Sequence, residues 1–245
     1  GEGVTFHYGV NVGIDKPMDE MLAEHDAVLY CGGSETPRDA GIPGVEFAGV
    51  HDAMPYLVQQ NRRVGRENID SVGWPSDPIL AGGKHIVVVG GGDTACEEAT
   101  YLASICRQVY LIVRKPYLRA SKAMQERVMN TPNIKVLFEH NTAEVLGDET
   151  GVTGALLRDN KGTETKIDIA GFFVAIGHHP NTEIFADQLE LDAEGYIKTV
   201  AGSSRTSVEG VFAAGDVQDP HYRQAITAAG SGCMAALDCE RFLLQ

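Results

Sequence analysis

The sequence lacks any pair of cysteines separated by two residues. Its cysteines are five in number, Cys31, Cys96, Cys106, Cys233 and Cys239. An odd count without metal-ligand spacing argues against both a disulfide scaffold and a zinc site. The cysteines are therefore expected to be scattered reduced thiols.

Basic charge and long apolar runs are also scarce. The formal net charge is −14, which argues against nucleic acid or an anionic membrane as the main partner. No apolar run approaches the roughly 20 residues of a membrane span. There is no leader-like segment, so a cytoplasmic protein is expected. The first residue is Gly rather than Met, which suggests a processed or partial chain.

The stretch "HIVVVGGGDTACEEA" (85–99) places glycines between a buried-strand pattern and a helix-forming segment. Gly90, Gly92 and Ala95 fit the G-x-G-x-x-G/A dinucleotide fingerprint. Gly90 suits the tight turn, Gly92 allows a pyrophosphate to approach the backbone, and Ala95 allows close packing of helix and strand. The alternative is a purely structural strand–helix turn.

A basic stretch, "RKPYLRASK" (114–122), ends the next predicted strand. An NAD site has an acidic residue about 20 residues after the glycines, but Arg114 stands there instead. Arg114, Lys115, Arg119 and Lys122 suit a 2′-phosphate, so NADP(H) is favoured over NAD(H). The alternative is a solvated charged loop.

The order of elements from residue 85 onward predicts an α/β fold. Strands at 85–90, 108–113 and 134–140 alternate with helices at 93–106 and 119–130, as in a doubly wound parallel sheet. Three short alternating strands, a further strand at 171–177, a strand at 210–217 and a long C-terminal helix complete the prediction. A second match, Gly230-x-Gly232-x-x-Ala235, lies among helix formers and is interpreted as a small-residue helix face. The linker-like segment 61–84 is predicted to contain a domain boundary.

Several of these motifs together resemble the flavoprotein reductases with two dinucleotide-binding domains. From about residue 95 onward the chain is most similar to low-molecular-weight thioredoxin reductase, through "GGGDTACEEATYL", "FFVAIGHHPNTEIF", "TSVEGVFAAGDV" and "YRQAITAAGSGCMAALD". Residues 1–95 resemble the small, NADPH-oxidising subunit of glutamate synthase instead, through "HDAVLYCGGSETPRD" and "IPGVEFAGVHDAMPYLVQQNRRV". This change of family suggests a chimera, with a divergent relative as the alternative.

The resemblance implies an NADPH-binding Rossmann-like domain (81–177) inserted into an FAD-binding domain of the three-layer ββα type. The FAD-binding domain would comprise 1–80 and 178–245. It would be incomplete, because no G-x-G-x-x-G occurs before residue 85. The implied NADPH residues are Gly90, Gly92, Asp93, Thr94, Ala95, Arg114, Lys115 and Arg119. The implied flavin residues are Gly215, Asp216, Arg223, Gln224, Ala225 and Ile226, with Gly177 near both cofactors.

Function is predicted from this lineage as an NADPH-dependent oxidoreductase that passes hydride to FAD. Thioredoxin reductases carry a C-x-x-C pair just before the NADPH domain, where this chain has "SVGWPSDPILAGG". Turnover of thioredoxin is therefore not expected, and the electron acceptor is left open. The alternatives are a non-catalytic NADPH-binding scaffold and an electron-input module like the glutamate synthase subunit. The resemblance also implies a homodimer.

Overall fold

The structure is a computed structural model that describes residues 3–34, 36–65 and 78–245. The chain forms two compact units, residues 37–177 and residues 1–36 together with 178–245. The division at 177/178 coincides with a boundary that the sequence predicts. The other division lies at 36/37, whereas the sequence predicts a boundary at 80/81. Half of the linker-like segment 61–84, residues 66–77, lies outside the described residues.

A five-stranded parallel sheet forms the centre of the unit 37–177. Its strand order is β3-β10-β4-β5-β6. The strands are β3 (Val50–Asp52), β4 (His85–Val89), β5 (Gln108–Val113), β6 (Ile134–Phe138) and β10 (Phe172–Val174). The central strands β4 and β10 are almost completely buried, as expected for apolar runs covered on both faces. The predicted parallel α/β sheet is thus confirmed.

The helices of this unit connect neighbouring or next-nearest strands. They are α2 (Ala53–Val64), α3 (Asp93–Ala103) and α4 (Lys122–Asn130). The predicted helix at 93–106 ends three residues early. The helix predicted to start at residue 119 begins at Lys122, because Leu118 and Ala120 are buried in a loop that packs into the core. The predicted start of α4 is therefore wrong by three residues.

An antiparallel three-stranded meander, in the order β7-β8-β9, packs against the sheet of the same unit. Its strands are β7 (His140–Asp148), β8 (Gly151–Asp159) and β9 (Glu164–Asp168), which confirms the predicted series of short strands. Gly44 shows how tightly this layer is packed. Its φ is +87°, and a Cβ there would lie 2.0 Å from the carbonyl oxygen of Val145.

The second unit contains a two-stranded parallel sheet formed by β1 and β12. Its elements are α1 (Met18–Glu24), β1 (Val28–Tyr30), β12 (Val211–Ala213) and α5 (Ala225–Leu243), and two-residue strands β2 (Thr36–Pro37) and β11 (His178–His179) pair with each other. The strands predicted at 26–33 and 210–217 are each shortened to three residues. A 3-10 turn, Gly215–Val217, follows β12.

Helix α5 contains the second glycine pattern, as the sequence predicts. A Cβ added at Gly230 or Gly232 would meet nothing within 4 Å. The close packing expected of this small-residue face is found at Ala235, which is buried against Phe212 and Ala214, and not at the two glycines. No helix in the described ranges is long and apolar enough to cross a membrane.

Candidate nucleotide and flavin sites

The glycine turn between β4 and α3 forms the centre of the predicted NADPH site. Gly90 has a φ of +146°, and a Cβ there would lie 2.4 Å from the carbonyl oxygen of Ala175 and 2.7 Å from the Cβ of Ala95. Only glycine fits this conformation and this space. The predicted tasks of Gly90, a tight turn, and of Ala95, close packing, therefore have a physical basis in the structure.

Gly92 has the opposite surroundings. It is the N-cap of α3 with an extended backbone, φ −90° and ψ −177°, and a Cβ there would meet no atom within 4 Å. The N–H groups of the first helical turn have no partner within the helix, and the helix dipole favours an anion at this end. Open space above a helix N-terminus fits a pyrophosphate group. The residues Asp93, Thr94 and Ala95 form this first turn, and Asp93 and Thr94 are exposed.

The basic loop, defined here as residues 114–121, runs from the end of β5 to the start of α4. Arg114, Lys115 and Arg119 are exposed, whereas Leu118 and Ala120 are each only 5% exposed. Within the described part of the chain, no carboxylate forms a salt bridge with any of these three cations. The Arg119 N–H donates to the Gly91 carbonyl at 2.6 Å. The structure therefore brings the basic loop to the glycine turn.

The end of β10 lies beside the same turn. The Ala175 N–H donates to the Val89 carbonyl at 3.0 Å, one residue before Gly90. The chain then reaches Gly177, which has a φ of +98° and accepts a hydrogen bond from the Arg38 N–H. Gly177 is thus at the carboxyl edge of the sheet, where ligands bind in open α/β folds.

The predicted flavin residues lie together in the other unit, at the end of β12 and the start of α5. Gly215 has a φ of +77°, and its N–H donates to Ser231 Oγ at 3.0 Å. Burial raises the pKa of the Asp216 carboxyl, the nearby Asp219 raises it further, and Arg223 opposes both. Asp216 is half-buried in the 3-10 turn that follows β12, so part of it remains exposed to a ligand.

The segment before α5 is held by Asp219, which the sequence analysis did not identify. Its carboxylate accepts hydrogen bonds from the backbone N–H groups of His221, Tyr222 and Arg223 at 2.8–3.0 Å. This arrangement places Arg223 at a φ of +50°. Gln224 then forms a reciprocal capping box with residue 227, and Ala225 begins the helix. At the start of the helix the exposed residues are Arg223, Gln224, Ala225 and Ile226.

The thiols of the unit 37–177 are not suited to redox chemistry. Cys96 is fully buried and Cys106 is 7% exposed. Burial raises the pKa of both thiols to about 11, so neither forms a thiolate near neutral pH. The Cys106 thiol instead donates to the Ala81 carbonyl. Structural, reduced cysteines were the expectation for both positions.

Glu98 is a second residue that the sequence analysis missed. It lies on α3 and is 4% exposed, and neither carboxyl oxygen has a hydrogen-bond partner among the described residues. Burial, and then the neighbouring Glu97, raise its pKa to about 8. Helical spacing could have found it, because Glu98 is three residues from buried Ala95 and four from buried Leu102.

The parallel sheet, the glycine turn and the adjacent basic loop define an α/β protein of the dinucleotide-binding class. The model of the pyridine nucleotide-disulphide oxidoreductase family matches residues 6–232, and the chain belongs to that family. The cofactors of thioredoxin reductases in this family are FAD and NADPH, the pair that the sequence predicts.

Relatives of this chain carry the name thioredoxin reductase. The thioredoxin reductase of Eremothecium gossypii is 51% identical over 228 residues, which cover 93% of this chain and 66% of that protein. NADPH-dependent thioredoxin reductase 3 of Arabidopsis thaliana is 55% identical over 163 residues, covering 66% of this chain and 31% of that protein. The crystal structure of Lactococcus lactis thioredoxin reductase matches with a TM-score of 0.75 and 27% identity, over 89% of this chain and 66% of that one.

The thioredoxin reductase of T. acidophilum matches with the same TM-score of 0.75. Both solved structures have two dinucleotide-binding domains, so the predicted fold class is confirmed. The chain nevertheless spans only part of its relatives, between 31% and 66% of the length of the curated proteins described above.

Proposed function

We propose that this chain is an NADPH-dependent, FAD-containing oxidoreductase of the thioredoxin reductase-like lineage. The observation that carries the proposal is the open glycine turn with a basic loop hydrogen-bonded to it. An anion-binding helix N-terminus beside unpaired cations is the arrangement that a dinucleotide with a third phosphate requires. Residues 81–177 are proposed as the part that binds NADPH.

Each part of this site has a separate role. Gly90 sets the turn, and Gly92 with the first-turn residues Asp93, Thr94 and Ala95 surrounds the pyrophosphate. Bound to a 2′-phosphate, the guanidinium and ammonium groups of the basic loop would form charge-assisted hydrogen bonds. The proposed cations are Arg114, Lys115 and Arg119.

The flavin is proposed to bind at the strand end and helix start of the other unit. Asp216 would accept a hydrogen bond from a ribityl hydroxyl, and Gly215 would let the ligand approach the backbone. The proposed neighbours of the ring are Arg223, Gln224, Ala225 and Ile226. Bound together, NADPH and FAD supply hydride transfer, and the protein supplies orientation.

The electron acceptor is proposed to differ from thioredoxin. Thiol–disulfide exchange needs an attacking thiolate and a nearby resolving thiol. The 245-residue sequence contains no C-x-x-C, and burial raises the pKa of Cys96 and Cys106. Electrons would go to an external acceptor or to oxygen. The relatives named thioredoxin reductase make thioredoxin the first acceptor to test.

A second candidate is an NADPH-binding scaffold without turnover, favoured by the lack of a G-x-G-x-x-G motif before residue 85. A third is an electron-input module, supported by the resemblance of residues 1–95 to the glutamate synthase small subunit, with a chimeric origin. The alignment with the Eremothecium relative covers 93% of the chain, however, so thioredoxin reductase likeness is not limited to the later residues. A cytoplasmic homodimer is proposed from the lineage.

Nucleotide binding is tested first with Gly92→Ala. Because a Cβ at Gly92 meets no atom of the described residues within 4 Å, the variant should fold normally, yet it should weaken NADPH binding about tenfold or more by blocking the pyrophosphate. Gly82→Ala is the matched control, since its Cβ also enters open space. Equal Kd values for NADPH in Gly92→Ala and the wild type, measured by calorimetry, would contradict the proposed site.

Flavin binding is tested by the visible absorption spectrum of the purified protein, before and after anaerobic addition of NADPH. A flavin band that NADPH bleaches supports the oxidoreductase. A colourless protein that stays colourless after incubation with FAD supports the scaffold instead. Asp216→Ala is then expected to lower flavin occupancy, and Asp192→Ala, a loop-carboxylate change in the same unit, serves as the control.

A further inference from the structure

The basic loop is attached to the glycine turn at two successive outward-facing residues. The Arg119 N–H donates to the Gly91 carbonyl at 2.6 Å, and the Ser121 N–H donates to Asp93 Oδ1 at 2.9 Å. The first bond uses only backbone atoms, so any sequence could make it. The second depends on the side chain of Asp93, the first residue of α3.

The loop is held from its other side by Gln125 of α4. The Gln125 side-chain amide donates to the carbonyl of Leu118 at 3.2 Å and to that of Ala120 at 2.7 Å. The side chains of these two loop residues are buried in the core. Arg119 therefore lies between two buried positions and extends outward, next to the helix N-terminus. The backbone of the loop is thus held by hydrogen bonds to its carbonyls and by two buried side chains.

The position of Asp93 is electrostatically unfavourable for direct contact with a nucleotide. A carboxylate beside a pyrophosphate repels it, and this repulsion is the same for NADH and NADPH. The two nucleotides differ only at the 2′ position, which the basic loop is proposed to bind. A residue that orients this loop therefore changes the difference in affinity between NADPH and NADH.

Resting on the proposed NADPH site, we infer that Asp93 is a positioning residue that selects NADPH over NADH by holding the basic loop through Ser121. It acts on selectivity through the loop, a role separate from the place beside the pyrophosphate that is proposed for the first turn of α3. Asparagine retains an Oδ1 acceptor and removes the charge, whereas alanine removes both. The two substitutions therefore separate loop positioning from charge.

The test measures the Kd of NADPH and of NADH by calorimetry for the wild type, Asp93→Ala and Asp93→Asn. Asp148→Ala is the matched control, because Asp148 also caps a backbone N–H, that of Thr150 at 2.8 Å, in an exposed hairpin of the same unit. In Asp93→Ala we expect the preference for NADPH, measured as the ratio of the NADH Kd to the NADPH Kd, to fall about five- to tenfold through the loss of one hydrogen bond. Relief of the repulsion between carboxylate and pyrophosphate changes both Kd values alike and leaves this ratio unaffected. Asp93→Asn should keep the selectivity of the wild type within about twofold.

Two results would overturn the inference: an equal change in both Kd values in Asp93→Ala, or an Asp93→Asn variant that behaves like Asp93→Ala. Hydrogen exchange of the Ser121 amide without nucleotide gives an independent readout and should be faster in Asp93→Ala than in Asp148→Ala. If the wild type binds neither nucleotide, the proposed function is wrong, and the inference about Asp93 is wrong as well. If the wild type prefers NADPH and Asp93→Ala is unchanged, only the inference fails.

Discussion

Glu98 should make the free energy of unfolding fall as the pH rises. A carboxyl group whose pKa is lowered on folding has the opposite effect. The side chain is 4% exposed and its two oxygens have no hydrogen-bond partner among the described residues. A buried ionised carboxylate without a partner is strongly unfavourable, so the folded protein keeps the group protonated. Burial accordingly raises its pKa to about 8.

The sign and size of the effect follow from proton linkage. Below about pH 4.5 the carboxyl is protonated in the folded and the unfolded chain. Between about pH 4.5 and 8 only the unfolded chain releases the proton, so the free energy of unfolding falls as the pH rises. At about 1.4 kcal/mol for each pH unit, this amounts to ~5 kcal/mol across the range and ~3 kcal/mol at pH 7. Typical domains have a total stability of only about 5–15 kcal/mol.

Glu98→Gln removes the titration and keeps the size of the neutral side chain. We expect this variant to be as stable as the wild type near pH 4.5 and about 4–5 kcal/mol more stable at pH 8.5. Urea unfolding followed by circular dichroism, at four or more pH values, measures the difference. Glu126→Gln on α4 is the control, because Glu126 is exposed and its substitution should change stability by less than about 0.5 kcal/mol.

A stability difference between Glu98→Gln and the wild type that is constant with pH would show that Glu98 is not kept protonated by the fold. A difference that grows as the pH falls would also contradict the prediction, since that would mean that the folded state stabilises the ionised form.

Two further predictions concern other positions. The pKa of Asp238 is lowered to about 2, first by the Ser204 N–H and then by two serine hydroxyls, so its stabilising effect should be lost as the pH falls from about 4 towards 2. Asp238→Asn should cost about 1–3 kcal/mol at pH 7 in urea unfolding and should remove this acid dependence; an unchanged acid limb would contradict it. Gly44→Ala should cost about 2–4 kcal/mol because its Cβ would collide with a carbonyl oxygen. Gly41→Ala, also at positive φ but in open space, should cost only about 1 kcal/mol, and equal melting temperatures for the two would exclude the collision as the cause.

Local sequence rules predicted the elements of the nucleotide site well. The strand before Gly90, the helix after Gly92 and the basic residues after β5 all follow from patterns within a few residues. The start of α4 was missed because the loop before it is fixed by tertiary bonds, from Ser121 to Asp93 and from Gln125 to the loop carbonyls. Such bonds join residues that no local pattern relates.

At the candidate flavin residues, only part of the arrangement could be predicted from the sequence. The Gly-Asp pair that follows β12 was recognisable from its sequence. The role of Asp219 was not, because it depends on three consecutive backbone N–H groups that donate to one carboxylate. An Asp-Pro pair at 219–220 signalled a turn there and could have suggested it. The 36/37 division of the compact units could not be predicted, because it depends on β3 pairing with β10 from the far end of the unit.

The place of β10 in the sheet has a consequence for the order in which this protein folds during synthesis. β4, β5 and β6 follow one another along the chain and can pair as soon as each is made. β10 lies between β3 and β4, yet it is translated after the whole meander, so Phe172 must join two strands made much earlier. Closing such distant contacts is slow and costs chain entropy. The half of the sheet that carries the glycine turn can therefore form first, whereas β3 remains without its partner until the ribosome has passed residue 174.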